Sequence, residues 1–355
     1  MKSFYRYFAA LFLLGIIILP MHSMAGNKDR SGQAGASELL INPWGQSSGW
    51  GSVNTAGIRG LEAIYGNVAG VAFTEGTQVG FAHTQWLKGS DININSFGFT
   101  QKMGESGALG LSVMSMNFGE IDVTTIDNPD GGIGTYSPSY LNVNIAYSRI
   151  FSNSIYGGIN FKIISESISD MSAQGLAIDA GIQYVTGELE NIKFGITLKN
   201  VGPTMKFSGD GLSIGVIPSG QETTFTLEQR KEDFELPTQL LIGAAYDILI
   251  PGNYRITLAG NFTSNSFSKD QFTGGLEFSL KDYLMLRAGY TYEDGITYGL
   301  DDPENRTNAF KGISAGFTVS VPLDTERGTR LGIDYSFRST DHFDNTHTFG
   351  AFITL

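Results

Sequence analysis

Cysteine is absent from the 355 residues. That excludes a disulfide framework, a thiolate metal site and a lipid-modified amino-terminal cysteine. Charge is scarce: Asp, Glu, Lys and Arg make up 16% of the chain, against roughly 25% in soluble globular proteins. Positive charge is outweighed, with a net charge of −12, which argues against nucleic-acid binding. Long hydrophobic runs are also missing. No stretch of about 18 apolar residues exists that could cross a membrane as a helix. Histidine is rare, with four residues, and none has zinc-type spacing such as H-x-x-x-H.

What is present is glycine, 46 residues, with 12% aromatics and 41% hydrophobic residues. The last nine residues, His347 to Leu355, place Phe349, Ala351, Ile353 and Leu355 on one strand face and then stop. An open apolar edge of that kind invites aggregation in a soluble protein. In a membrane β-barrel the last strand closes on the first, and no edge remains.

Residues 1–25 have the layout of a secretory signal peptide: Lys2 and Arg6, an apolar stretch from Phe8 to Leu19, and Ser23-Met24-Ala25 for cleavage. From Gln78 onward the chain alternates with period two. Leu141, Val143, Ile145 and Tyr147 alternate with Asn142, Asn144, Ala146 and Ser148. The pattern predicts strands at 78–86, 91–102, 107–118, 140–150, 154–166, 175–186, 190–200, 238–248, 253–264, 270–280, 283–293, 311–321, 330–339 and 347–355. That is an all-β chain with an even count of 14 antiparallel transmembrane strands, as bacterial single-chain barrels have. The even-numbered connections are all short, and the long ones, 119–139, 201–237 and 294–310, are all odd-numbered. This asymmetry predicts periplasmic turns at one end, outer loops at the other, and both termini in the periplasm.

On the apolar face, Tyr147, Tyr184, Tyr246, Tyr254 and Phe278 fall toward the periplasmic ends, and Tyr290, Tyr292, Phe337 and Phe349 toward the outer ends. They form two candidate interfacial girdles. The opposite face carries Lys162, Lys193, Lys199, Arg255, Arg287 and Arg338 against Asp179, Asp247, Glu277 and Asp334. Such charges need water or partners. Ion-pair bracing of a wet lumen is favoured over a permeation path. That face is otherwise largely Asn, Ser, Thr and Gly, which disfavours a greasy tunnel through the barrel but not a lateral opening or a pocket beneath the loops.

Residues 26–77 do not read as strands. Gly26 to Ser37 is polar and expected to be mobile. Further on, Ile58, Leu61, Ile64, Tyr65 and Val68 fit one face of a short amphipathic helix. The segment is expected to plug the barrel mouth or to dock outside as a periplasmic tail. The division is thus 1–25 signal peptide, 26–77 amino-terminal periplasmic or plug segment, and 78–355 barrel.

Thr55-Ala56-Gly57 followed by Glu62-Ala63-Ile64-Tyr65-Gly66-Asn67-Val68-Ala69-Gly70-Val71-Ala72 resembles the amino-terminal signature of PorV/PorQ family proteins. These belong to the wider FadL-like barrels, where the stretch commonly reads A-x-x-x-N-P-A-G-L-A. Asn67, Ala69 and Gly70 match the motif, and Val68 stands where the family usually has proline. The resemblance implies an outer-membrane component of the type IX secretion system of Bacteroidota that binds secreted cargo or partner barrels. The alternative it implies is FadL-like transport of small hydrophobic compounds. Outer-membrane lipid and other secretion-system proteins would be the partners, with no cofactor.

The loop 201–237 carries Phe207, Leu212, Ile214 and Phe225, and is expected to fold as an extra hairpin that presents an apolar contact surface. Asp341-His342 with Asp344 is the nearest approach to a catalytic acid–histidine pair, and no nucleophile or second carboxylate cluster accompanies it. An enzyme is not expected. The acidic loops around Asp301, Asp302, Glu304 and Asn305, and around Asp127, Asn128 and Asp130, lack calcium-loop spacing and read as solvated loops. Gly131-Gly132 reads as a turn.

Overall fold

The computed structural model describes residues 26, 28–217, 219–220, 223–299, 306, 308–324 and 328–355. The signal-peptide segment 1–25 and the acidic loop at 301–305 lie outside the described residues.

Fourteen strands form one closed antiparallel barrel. They are β1 Thr77–Trp86, β2 Ile92–Met103, β3 Gly107–Asn117, β4 Ser139–Ile150, β5 Ile155–Ile168, β6 Met171–Thr186, β7 Ile192–Val201, β8 Gln239–Ile250, β9 Tyr254–Asn265, β10 Gln271–Leu280, β11 Leu284–Glu293, β12 Phe310–Asp324, β13 Thr329–Thr340 and β14 Thr346–Thr354. The ring closes where β14 meets β1, with Phe349 opposite His83 and Ala351 opposite Phe81. This satisfies the apolar terminal strand, because its backbone groups pair on both sides.

The two faces separate as the alternation requires. On β4, Leu141, Ile145 and Tyr147 point outward and are 40%, 47% and 48% exposed, whereas Asn142, Asn144 and Ser148 point inward and are fully buried. Polar residues inside and apolar residues outside is a membrane protein's arrangement, since lipid covers the outer band. The girdle residues Tyr147, Tyr184, Tyr246, Tyr290, Tyr292 and Phe349 are exposed on that band.

Strand limits depart most from expectation at β6, which begins at Met171 rather than at 175. The β5–β6 connection is only Ser169-Asp170, with Ser169 at φ 49. Both strands therefore run on past the apolar alternation that marked their ends in the sequence. The long connections all emerge at one end of the barrel, and the opposite end carries short turns.

Residues 28–76 fill the lumen instead of docking outside. They form short turns at Ser37–Leu40, Gly45–Ser48, Asn54–Ala56, Gly60–Ile64 and Val68–Phe73, mostly 3-10. The single amphipathic helix expected near 58–68 is thus replaced by two turns. Gly60 sits at φ +66, outside helical conformation. The stretch is also buried on nearly all sides, with Arg59 its one exposed residue between 58 and 68, so it has no solvated face to alternate with. Ile58, Leu61, Ile64, Tyr65 and Val68 are all buried.

Two further expectations are corrected. The chain enters β1 at the short-turn end, but the plug before it climbs the lumen. Its start lies beneath the long loops, where the Gly26 amide donates to Asp270 Oδ2 at 2.7 Å. The first described residue, Gly26, and the carboxyl-terminal Leu355 therefore lie at opposite ends. Residues 28–37 are also anchored: Arg30 pairs with Glu235 at 2.5 Å and stacks over Phe267 at 4.2 Å, and Ala34 bridges Glu235.

Candidate functional site

Strand register places inward side chains in rows around the wall. At the long-loop end one row runs Ile94, Met116, Tyr140, Glu166, Ala173 across β2 to β6. The next row down is Ser96, Met114, Asn142, Ile164, Gly175, and below it come Gly98, Ser112, Asn144, Lys162, Ala177. The wall therefore grades from apolar near the long loops to polar at mid-depth. The expected, largely polar lumen face is found in the lower rows. The plug packs against the upper rows in one apolar cluster: Leu39 is fully buried in it with Ala36, Ile41 and Trp44, Met205 and Leu236 from the long loop 202–238 join them, and the Tyr65 hydroxyl reaches Met114 and Asn142.

Lower down, the plug is bolted to the wall through Asn67. Its Nδ2 donates to Thr55 O at 3.0 Å and to Ile182 O of β6 at 3.1 Å, and its Oδ1 accepts from the Ala69 amide at 3.2 Å. Ala69 is fully buried beside Tyr156 and Val185. Gly70 is required by packing: a Cβ there would stand 2.1 Å from Ile58 O. The three motif residues are thus brought together as the plug's fastening. The Ser148 hydroxyl donates to Val68 O, so the backbone at the position of the missing proline is held by the wall.

Six of the ten lumen charges singled out in the sequence sort into two networks. Lys162 Nζ meets Asp179 Oδ2 at 2.7 Å and Asn200 Oδ1 at 2.6 Å, while Asp179 Oδ1 accepts the Asn200 amide at 2.7 Å. This set supports a bulge in β7, where Asn200 has φ 60 and the β6–β7 register shifts after Ala180. In the second network Glu277 takes Arg255 at 3.1 Å and Arg287 at 2.7 Å. Arg287 continues to Thr318 at 2.6 Å, and Thr318 to Asp334 at 2.5 Å. Asp334 then receives Gln46 of the plug at 3.4 Å. Lys193 and Asp247 pair separately at 2.5 Å.

The plug contributes a carboxyl to this second network that sequence reasoning passed over. Glu62 accepts from the Ser47 amide at 2.8 Å, the Ser47 hydroxyl at 2.5 Å and the Gln46 amide at 3.1 Å. Burial, reinforced by the Asp334 carboxylate, pushes Glu62 up to about 7. Burial likewise raises Glu38, near the top of the plug. Glu62 was visible only as part of a motif, and nothing local in the sequence marks its partner, 272 positions away in the chain.

A cavity of about 100 Å³ lies between the plug and the β8–β13 wall, lined among others by Leu40, Tyr65, Lys199, Asn261, Thr273 and Arg338. Its lining is mainly polar. The bulge at Gly312, φ +83, forms part of its rim.

The loop 202–238 does hold a hairpin, Ser213–Val216 against Phe225–Glu228. Ile214, Ile217, Phe225 and Leu227 are exposed on it, and Leu212 is half-buried. Phe207 is set apart from them: it packs on the apolar cluster beside Phe234, ring centroids 5.7 Å apart. Asp341 is occupied by Arg306 at 2.8 Å and Lys311 at 3.4 Å, and His342 beside it is largely exposed. That set pins a loop and gathers no nucleophile. Asp127, Asn128 and Asp130 are exposed on the loop 118–138.

No protein-family model matches the chain, and no curated protein does either. Among solved structures it is similar to the toluene transporter TodX of Pseudomonas putida, at 13% identity over 88% of this chain and 97% of that one, with a TM-score of 0.55. It is also similar to the toluene transporter TbuX of Ralstonia pickettii, at 12% identity over 86% and 97%, TM-score 0.50. A Pseudomonas aeruginosa FadL homologue matches at 10% identity over 86% and 96%, TM-score 0.50. At these identities the likeness is one of fold alone: the closed antiparallel β-barrel resembles those of FadL-like proteins.

Proposed function

We propose that the protein is an outer-membrane channel for small hydrophobic compounds, gated by its amino-terminal plug. The observation that carries this is the apolar cluster at the long-loop end, in which the plug's own Ala36, Leu39 and Ile41 are buried with Ile94, Met114, Met116 and Ile164 of the wall. A side chain such as Leu39 occupies the place a hydrophobic guest would take, so guest and plug segment compete for one site. Withdrawal of that segment would also reach the polar cavity, because Leu40 lines it. The fold shared with hydrocarbon channels along most of their length supports the same reading.

A second reading, favoured by the exposed hairpin bearing Ile214, Phe225 and Leu227, is a PorV/PorQ-type component of type IX secretion in a Bacteroidota outer membrane. An apolar patch held out from the barrel on a loop suits a protein partner.

Gentle extraction of the tagged protein from its own outer membrane, with mass spectrometry of bound lipids and proteins, separates the two. The channel reading expects a lone barrel with a stoichiometric hydrophobic small molecule. A co-purifying translocon barrel or secreted cargo would overturn it in favour of secretion.

A further inference from the structure

The apolar row at the long-loop end contains one acid. Glu166 shares this row with Ile94, Met116, Tyr140 and Ala173, and its direct cross-strand neighbours are Tyr140 and Ala173. Two polar atoms there lack any hydrogen-bond partner although they are buried: Glu166 Oε1 and the Tyr140 hydroxyl. Tyr140 is 1% exposed. Glu38, on the first turn of the plug, lies within electrostatic reach of both. Neither Glu38 nor Glu166 forms an ion pair among the described residues.

Both glutamates are half-buried, but a buried carboxyl oxygen without a partner is costly, and an unmet phenol adds to that cost. The wall meets this pattern nowhere else in the two networks described above, where Asp179, Asp247, Glu277 and Asp334 each have a cation or hydroxyl in contact. What would complete the set is a cation with hydrogen atoms to donate. The surroundings dictate the rest of the ligand. Met116 and Ile164 are apolar, and Phe118, Phe207 and Phe234 pack against the same apolar cluster. The polar cavity on the other side of the plug carries two cations, Lys199 and Arg338, against one carboxylate, Glu293, so its charge balance is less favourable to the same head group.

Resting on the channel reading, we propose that this site takes a hydrophobic molecule bearing a protonated amine. Its ammonium is held between Glu166, Glu38 and the Tyr140 hydroxyl, and its apolar body replaces Leu39. The class is a hydrophobic amine rather than a bare hydrocarbon.

The test is equilibrium binding of 2-phenylethylamine and of its neutral counterpart ethylbenzene to the full mature chain in lipid nanodiscs. The wild type is expected to prefer the amine by about tenfold or more, the size expected of a hydrogen-bonded charge. Glu166→Gln should bring that ratio close to one, and Glu38→Gln should lower it in part. Heat-modifiable migration on gels establishes that each variant has folded. Equal binding of the two compounds by the wild type, or a ratio unmoved by Glu166→Gln, overturns the amine site while the channel reading stands. Binding of neither compound removes the channel reading itself.

Discussion

Glu62 shows how much one side chain can decide in a lumen. It sits on the plug, accepts three hydrogen bonds from Gln46 and Ser47, and faces Asp334 across the second charge network. Its carboxyl is raised from 4.5 to about 7 in the docked plug. The docked state thus holds the proton more tightly than an undocked one. Its contribution to docking is complete below the ordinary carboxyl value and is lost as pH rises through about 7. Two of the three tryptophans, Trp44 and Trp50, are buried in the plug, so their emission reports docking. Acrylamide quenching is expected to increase between pH 5 and 8 in the wild type and to stay flat in Glu62→Gln. An identical pH slope in the two proteins would remove Glu62 from the latch.

At the scale of the element, each strand is a two-faced object whose outer face is set by lipid. Ile145, at the middle of β4, points outward and is 47% exposed. Ile145→Arg is expected to cost about 2–4 kcal/mol, the penalty for arginine near the bilayer midplane. Leu227→Arg, on the exposed loop hairpin, is expected to stay within about 0.5 kcal/mol of the wild type. Equilibrium urea unfolding in lipid vesicles measures both, and equal costs would mean that lipid does not cover β4. Strands were legible in the sequence for the same reason: period-two alternation is local, and lipid on one side enforces it on all fourteen. The exceptions are also local. β5 and β6 run beyond their alternation because a two-residue turn joins them, and β7 is interrupted by an αL residue, Asn200, that the alternation does not mark.

For the whole molecule, wall and plug are separable in hydrogen bonding. Every strand pairs on both sides within the ring, so the backbone groups of the barrel are satisfied largely without the plug. Deletion of residues 26–44 is therefore expected to leave a folded, heat-modifiable barrel, while removing Leu39, Ile41 and Trp44 from the apolar rows. Single-channel conductance in planar bilayers should rise. A barrel that fails to fold would show that the plug is part of the ring's stability, and unchanged conductance would show that this segment does not seal the path.

The sequence by itself determined the barrel, its strand number, the sidedness of its loops and the residues that face the lumen, because each follows from spacing along a single segment. It also marked Asn67, Ala69 and Gly70 as a unit. Only the tertiary structure decided that the plug fills the lumen as broken turns and begins beneath the long loops. It alone placed Glu62 beside Asp334, and set Glu166 in an apolar row with Ile94, Met116, Tyr140 and Ala173. Glu166 has the same strand parity as Lys162, four residues earlier, yet one is paired and the other has an unpartnered buried oxygen. Parity gives the face, but what stands across the face depends on register between five strands and on a plug that threads between them. Those contacts join residues far apart in the chain, and no local pattern encodes them.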